Sequence, residues 1–206
     1  VAYRLRIANQ PGDVTPLGWK ITSCGLSECI KKAAERIGWS EKKNKLPRYR
    51  GIGIASMIHP SGSVLYAEGN FSNIALELQA DGRMQVFTQT ADAGTGQNTI
   101  IAQLVAETLG VPMEGISVVH MDTELAPDDL GSAASRVTFV TGNAAIAAGK
   151  ELVEQIKKRI AAEWAVALEE VQYESGRFFN ALNPRFEITI PQVAQRFGRF
   201  RVEGHY

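Results

Sequence analysis

The sequence predicts an α+β fold in which helices pack on a mixed β-sheet. Three observations carry that reading. Leu76 and Leu78 alternate with Glu77 and Gln79, Asp81-Gly82 marks a hairpin turn, and Arg83-Met-Gln-Val-Phe-Thr88 alternates again. Ile100, Ile101, Leu104, Val105 and Leu109 then recur at helical spacing until Gly110 and Pro112 stop the run. Ile116-Ser-Val-Val-His-Met121 returns to a strand pattern, and the stripe Val153, Ile156, Ile160 and Trp164 marks a second helix beyond it.

Composition sets the outer bounds. With 206 residues, 45% of them hydrophobic, the chain can bury a core as one large or two small units. A formal net charge of zero gives no bias toward nucleic acid or an anionic membrane. No apolar run approaches a membrane span and no signal peptide is seen, so a cytoplasmic location is expected. Cys24 and Cys29 are too few for a disulfide scaffold, and their spacing without further cysteines does not make an iron–sulfur site. Both are expected to face a core, in a reducing compartment.

In chain order, Leu26, Cys29, Ile30, Ala33 and Ile37 form one apolar helical face closed by Gly38, with Trp39 anchoring the helix. Lys42, Lys43, Lys45, Arg48 and Arg50 then read as a solvated basic linker. The expected division is residues 1–50, a helical segment with its linker, and residues 51–206, an α/β segment. Residues 51–58 suggest a buried strand whose glycines allow close backbone approach, ended by His59-Pro60. The hairpin follows. From Gly142 the chain is helical, with Glu151, Glu154, Lys157, Lys158 and Arg159 turned outward. Short strands are expected at 171–173, 177–180 and 186–190, and Pro191 opens a short helix at its first position.

Chemistry concentrates in two stretches. Thr90-Ala-Asp-Ala-Gly-Thr-Gly-Gln-Asn-Thr99 lies where a strand turns into a helix. The first turn of a helix has unpaired N–H groups and the positive end of the dipole, and Gly94 and Gly96 allow close approach. Thr95, Gln97, Asn98 and Thr99 add side-chain hydrogen bonds without charge. This suits a phosphate or an oxygen-rich cofactor; the plain alternative is a tight turn with a polar cap. The stretch lacks the third glycine of the dinucleotide fingerprint, and no Gly-Lys-Ser/Thr follows. The second stretch, Pro127-Asp-Asp-Leu-Gly-Ser-Ala-Ala-Ser-Arg-Val-Thr138, combines small residues and hydroxyls with one arginine ahead of a long helix. Ala133 and Ala134 leave room for something bulky, while Ser132, Ser135 and Thr138 offer donors. Arg136 could grip a phosphate bidentately or pair with Asp128 or Asp129.

The order Gly-x-Gly-x-x-Thr, helix, Leu-Gly-Val-Pro, strand, Asp-Thr-x-x-x-Pro, Gly-Ser-x-x-Ser-Arg-x-Thr, Gly-Asn-Ala resembles the molybdenum-binding subunit of the molybdenum hydroxylases. These are the relatives of xanthine dehydrogenase, aldehyde oxidoreductase and aerobic carbon monoxide dehydrogenase, and the detail is most similar to the 4-hydroxybenzoyl-CoA reductase branch. The strong match spans about residues 50–150. The resemblance implies a segment of the molybdopterin-binding domain. Gly94, Thr95, Gly96, Gln97 and Thr99 would line the cofactor on one side and carry its dinucleotide end. Ala133, Ala134, Ser135, Arg136 and Thr138 would line the other, with Ala134 nearest the molybdenum. Thr95 stands where the family usually has glutamine, which puts that contact in doubt.

It further implies a molybdenum–molybdopterin cofactor in the cytosine dinucleotide form, iron–sulfur and flavin (FAD) partner subunits, and the rest of the molybdenum subunit. The reaction would be water-derived oxygen transfer at a substrate carbon, or the reductive reverse on an aromatic CoA thioester. The family's Gly-x-Gly-Glu base and Arg-x-Phe-Gly substrate segment are not among these residues. The chain therefore reads as the middle of a larger subunit, inactive alone, with no catalytic residue or direct metal ligand assigned in it. His120 is expected as a hydrogen-bonded core residue and Asp122 as a loop cap. A non-catalytic nucleotide- or phosphate-binding module and a structural assembly subunit are the competing classes; metal and nucleotide content distinguish the three.

Overall fold

The computed structural model describes residues 1–57, 59, 61–62, 69–183 and 185–206. By its internal contacts the chain forms two compact units, Val1–His59 and Pro60–Tyr206. Residues 51–59, assigned from sequence to the second segment, belong to the first unit by that division.

The first unit holds α1 (Ala2–Ile7), α2 (Leu26–Arg36) and α3 (Trp39–Lys42). Gly38 stops α2 as expected: its φ of 64° is left-handed, and its N–H donates to the Glu35 carbonyl at 2.9 Å. The apolar face is narrower than its periodicity suggested. Ile30 and Ala34 are buried, whereas Cys29 and Ala33 are exposed. Cys24, Cys29, Ile30 and Ala33, with Ile54 and Met57, line an open groove of about 530 Å³. The cysteines therefore border a groove rather than face a packed core. Residues 51–57 form no strand and are exposed or half-buried. Among the described residues they pair with no strand, and an extended run without such pairing does not satisfy its own backbone. Ile58 and Pro60 lie outside the described residues. The five basic side chains at 42–50 are exposed, as a solvated run requires. Trp39 is half-buried at the start of α3.

The second unit is built on a four-stranded mixed sheet in the order β3-β2-β1-β7. Its strands are β1 (Asn73–Leu78), β2 (Met84–Thr88), β3 (Ile116–His120) and β7 (Phe200–His205). The expected hairpin forms, with Leu76 opposite Val86, Leu78 opposite Met84 and Gly82 at φ 86° in the turn. α4 (Gln97–Leu109) crosses from β2 to its parallel neighbour β3, and Gly110 ends it at φ 56°. α5 (Val140–Trp164) is the long second helix, burying Leu152, Ile156 and Ile160. One face of the sheet (Ile74, Leu76, Leu78, Met84, Val86, Val202) meets Ile101, Val105 and Leu109 of α4 and the buried stripe of α5 in one core.

Three further strands, β4 (Val171–Glu174), β5 (Arg177–Asn180) and β6 (Glu187–Thr189), make a separate antiparallel sheet. α6 (Ile190–Phe197) follows with Pro191 in its first turn, as its sequence position dictates. Val171, Phe178 and Ile188 join the same core. Tyr173 Oη donates to the Leu109 carbonyl at 2.5 Å, tying this sheet to the end of α4. Burial pushes the Tyr173 phenol up to about 12, against the opposing backbone N–H of Gly176, so the donor stays protonated at neutral pH.

β7 was not read from the sequence. It pairs antiparallel with β1 over its whole length, placing Gly204 opposite Ile74 and Val202 opposite Leu76 on the core face. Gly204 lies directly against α5: a Cβ there would overlap the Ala144 carbonyl and come within 2.8 Å of the Ala148 methyl.

Candidate functional site

Both predicted loops leave the same end of the sheet. β2 and β3 are parallel, so their carboxyl ends at Thr88 and His120 lie side by side, and residues 89–96 and 121–139 emerge next to each other. Ligands in open α/β sheets favour this position, outside the carboxyl ends of strands. Ser132 joins the two stretches directly. Its hydroxyl donates to the Ala91 carbonyl at 2.6 Å and approaches Gln97 Oε1 at 3.4 Å. Gln89 Nε2 adds a bond to the Ala126 carbonyl at 3.4 Å.

In the glycine loop, Gly94 (φ 88°) and Gly96 (φ 74°) are left-handed, and Gly96 is the N-cap of α4. A Cβ at either would meet nothing within 4 Å, so what excludes side chains there is backbone conformation, and the space beside both is open. Thr95 and Thr99 are exposed and Gln97 is half-buried.

The backbone donors, however, are already engaged. Asp92 Oδ1 accepts the N–H of Gly94 at 3.0 Å and that of Gly96 at 3.3 Å. Desolvation alone would raise the pKa of Asp92, yet the N–H groups of Gly94, Asn98, Gly96 and Thr95 together hold the carboxyl below its ordinary 3.8. An aspartate of the same loop thus engages N–H groups that the sequence offered to a phosphate. The pattern of an Asp two residues before a left-handed glycine is the sequence signal for this side-chain turn. Among the described residues, the buried Thr90 Oγ1 and Asn98 Oδ1 beside the loop have no hydrogen-bond partner.

In the second loop Ala133 and Ser135 are exposed, Ala134 is half-buried, and Thr138 is exposed beside Ile100 and Leu104 of α4. Ala134 (φ 45°) and Ser135 (φ 54°) are two consecutive left-handed residues that are not glycine. Such conformations cost about 1–3 kcal/mol each and persist only where the surroundings over-determine them. Arg136 supplies that constraint. Its N–H donates to the Ala133 carbonyl at 3.0 Å, and its side chain is fully shielded from solvent. Nε donates to Asn70 Oδ1 at 2.8 Å, one terminal nitrogen to the Gly131 carbonyl at 2.7 Å and to Asp129 Oδ1 at 3.4 Å, and the other to the Phe71 carbonyl. Of the two roles open to it, Arg136 takes the ion pair, and with Asp129 rather than Asp128. Its guanidinium has no exposed edge to offer a phosphate.

Asp129 completes the knot. It accepts the N–H groups of Gly131 at 2.6 Å and Asn73 at 3.0 Å, and the hydroxyl of Ser72, whose oxygen in turn accepts the Thr141 hydroxyl at 2.9 Å. Asn70, Phe71 and Ser72 escaped the sequence reading because no local pattern links them to residues almost sixty or more positions away. His120 is exposed at the end of β3, not buried in the core: it ends the strand, where the chain turns through Met121 at φ 62°. Asp122 does cap the next turn, accepting the N–H groups of Glu124 at 3.0 Å and Leu125 at 3.1 Å. Among the described residues, no group of three or more His, Cys, Asp or Glu could hold a metal ion.

Comparison with known proteins matches residues 31–206 to the family described as the molybdopterin cofactor-binding domain. The chain is 33% identical over 164 residues to the xanthine dehydrogenase molybdenum-binding subunit of Escherichia coli O157:H7, covering 76% of this chain and 22% of that protein. It is 36% identical over 135 residues to the 6-hydroxypseudooxynicotine dehydrogenase complex subunit gamma of Paenarthrobacter nicotinovorans, covering 64% and 16%. The chain thus spans about a fifth of the length of the curated relatives it matches. Reconstituted CO dehydrogenase from Oligotropha carboxidovorans superposes with a TM-score of 0.63 at 21% identity, over 100% of this chain and 29% of that one, a likeness of fold.

Proposed function

Since the chain belongs to the molybdopterin cofactor-binding domain family, we propose that its two adjoining loops form one wall of the molybdenum cofactor site in a larger oxidoreductase. The observation that carries this is their meeting through Ser132 at the carboxyl ends of β2 and β3. The fit to the cofactor is chemical. Open space lies beside Gly94 and Gly96, small residues stand at 133–135, and the buried Thr90 Oγ1 and Asn98 Oδ1 await hydrogen-bond partners. Hydroxyls and amides of this kind suit an oxygen- and nitrogen-rich organic group better than a bare cation.

Thr95, Gln97 and Thr99 would contact the cofactor from one side, along the space that Gly94 and Gly96 leave open. Ala133, Ala134, Ser135 and Thr138 would do so from the other. Arg136 acts beneath them, fixing the backbone on which Ala134 and Ser135 stand. When bound, the molybdenum centre supplies oxygen-atom exchange between water and a substrate carbon, or the reductive reverse. The residues of this chain contribute binding, orientation and the exclusion of water. The cytosine dinucleotide form of the cofactor, iron–sulfur and flavin partner subunits, and a base and substrate pocket supplied from outside these 206 residues complete the proposal. The reported sequence resemblance to subunits of dehydrogenase complexes supports it.

Two measurements test this. Ala133→Leu, at an exposed site on the loop, should leave the fold intact. In the assembled enzyme it should lower molybdenum and pterin per subunit about tenfold at limiting cofactor, the effect of about 1–3 kcal/mol of steric conflict. Unchanged occupancy would remove Ala133 from the cradle. The purified chain, free of other subunits, should turn over neither aldehydes nor aromatic substrates, since losing a general base alone costs about 10²–10⁴-fold. Turnover by the chain alone would refute the division of labour.

A further inference from the structure

The glycine loop carries an anion of its own. A helix start following two left-handed glycines is a natural place for a phosphate, because its N–H groups converge on one point. Here that point is taken by Asp92, whose Oδ1 lies 3.0 Å from the Gly94 nitrogen and 3.3 Å from that of Gly96. The side chain comes from within the loop itself, and among the described residues it is held by backbone N–H groups and not by a cation.

We propose that Asp92 is a positioning residue that fills the anion position at the start of α4 from inside the chain, shaping the glycine loop and turning phosphate away from it. Two physical consequences follow. An incoming phosphate must displace the carboxylate or accept a like charge beside it, and both are unfavourable. With the carboxylate in place, Gly94 and Gly96 are locked in the conformations that open space beside them. The lowered pKa of Asp92 agrees with the geometry, since the ionised form gains more from donated N–H groups than the neutral one. In its meaning for the enzyme the inference rests on the cofactor reading: the phosphate that every form of molybdopterin carries must then be held away from this loop, and the loop receives another part of the molecule.

The test uses the ¹⁵N-labelled 206-residue chain and inorganic pyrophosphate as probe. The wild-type amides of Gly94, Gly96 and Asn98 should not shift saturably. In Asp92→Ala and Asp92→Ser the same amides should titrate, with affinity raised about tenfold or more, the equivalent of one charge-assisted hydrogen bond made available. Asp92→Asn keeps an acceptor oxygen without the charge, so it should preserve slow exchange of the Gly94 and Gly96 amides while the alanine variant loses it. Equal pyrophosphate binding by wild type and variants would overturn the proposal, as would no gain in both the alanine and serine chains. Exchange at Gly94 and Gly96 as fast in the wild type as in Asp92→Ala would overturn it too. No cofactor enters this titration. An assembled enzyme lacking molybdopterin would therefore sink the cofactor reading while leaving the Asp92 result standing.

Discussion

Replacing Arg136 with alanine should destabilise the Pro60–Tyr206 unit by about 3–5 kcal/mol, the usual effect of removing one partner from a buried ion pair. The size follows from what would be stranded. Asp129 would keep the N–H groups of Gly131 and Asn73 and the Ser72 hydroxyl but lose its cation, with its side chain fully shielded. Asn70 Oδ1 and the carbonyls of Phe71 and Gly131 would lose a donor each. Arg136→Lys keeps the charge but not the planar fork, so it should fall between wild type and alanine. Urea denaturation of the three chains checks this. An alanine variant within about 0.5 kcal/mol of wild type, the range of ordinary surface substitutions, would show that the knot does not hold the loop.

Gly204→Val should detach β7 from the sheet. The added atoms have no flexible neighbour to push aside: they meet the backbone carbonyl of Ala144 and the Ala148 nitrogen and methyl group. Overpacking a core costs about 1–3 kcal/mol where side chains can relax, and more where they cannot. Amide exchange should locate the damage. The N–H groups that β1 and β7 exchange along their ladder should lose protection, while those exchanged between β1 and β2 and those of α4 retain theirs. Full protection of β7 in the valine variant would mean that α5 yields instead. Gly204→Ala should give the same pattern with a smaller loss.

These two sites also mark the limit of what the chain reveals locally. The hairpin around Asp81-Gly82, α4 with its stop at Gly110, β3, the length of α5 and the Pro191 helix were all legible, because each depends on periodicity and turn residues within about 25 positions. The two loops of the candidate site were legible for the same reason, as small-residue and hydroxyl-rich breaks after strands. β7 was not. Its apolar alternation, Phe200, Val202, then Gly204, is interrupted where a helix backbone comes too close for any side chain, and its partner strand lies some 120 residues earlier. The Arg136 partners Asn70 and Phe71 were hidden by the same distance. Residues 51–57 erred in the opposite direction: the composition of a buried strand is present, but among the described residues no neighbouring strand pairs with it. The Cys29 and Ala33 face had helical spacing, yet spacing alone does not supply something to pack against.

The β1–β7 pairing also sets an order of events during synthesis. β1 and β2 are made within a few residues of each other and can close as a hairpin at once. β7 follows only after α4, β3, α5 and the small antiparallel sheet have left the ribosome. At bacterial or eukaryotic elongation rates that interval is on the order of ten seconds. Throughout it one long edge of β1 has no neighbour, and the stretch of α5 around Ala144 and Ala148, against which Gly204 will lie, is bare. An open strand edge beside uncovered apolar surface is what recruits wrong partners. Ribosome-bound chains stalled between residues 165 and 199 should therefore hold chaperones more tightly than chains stalled beyond His205 that have cleared the exit tunnel.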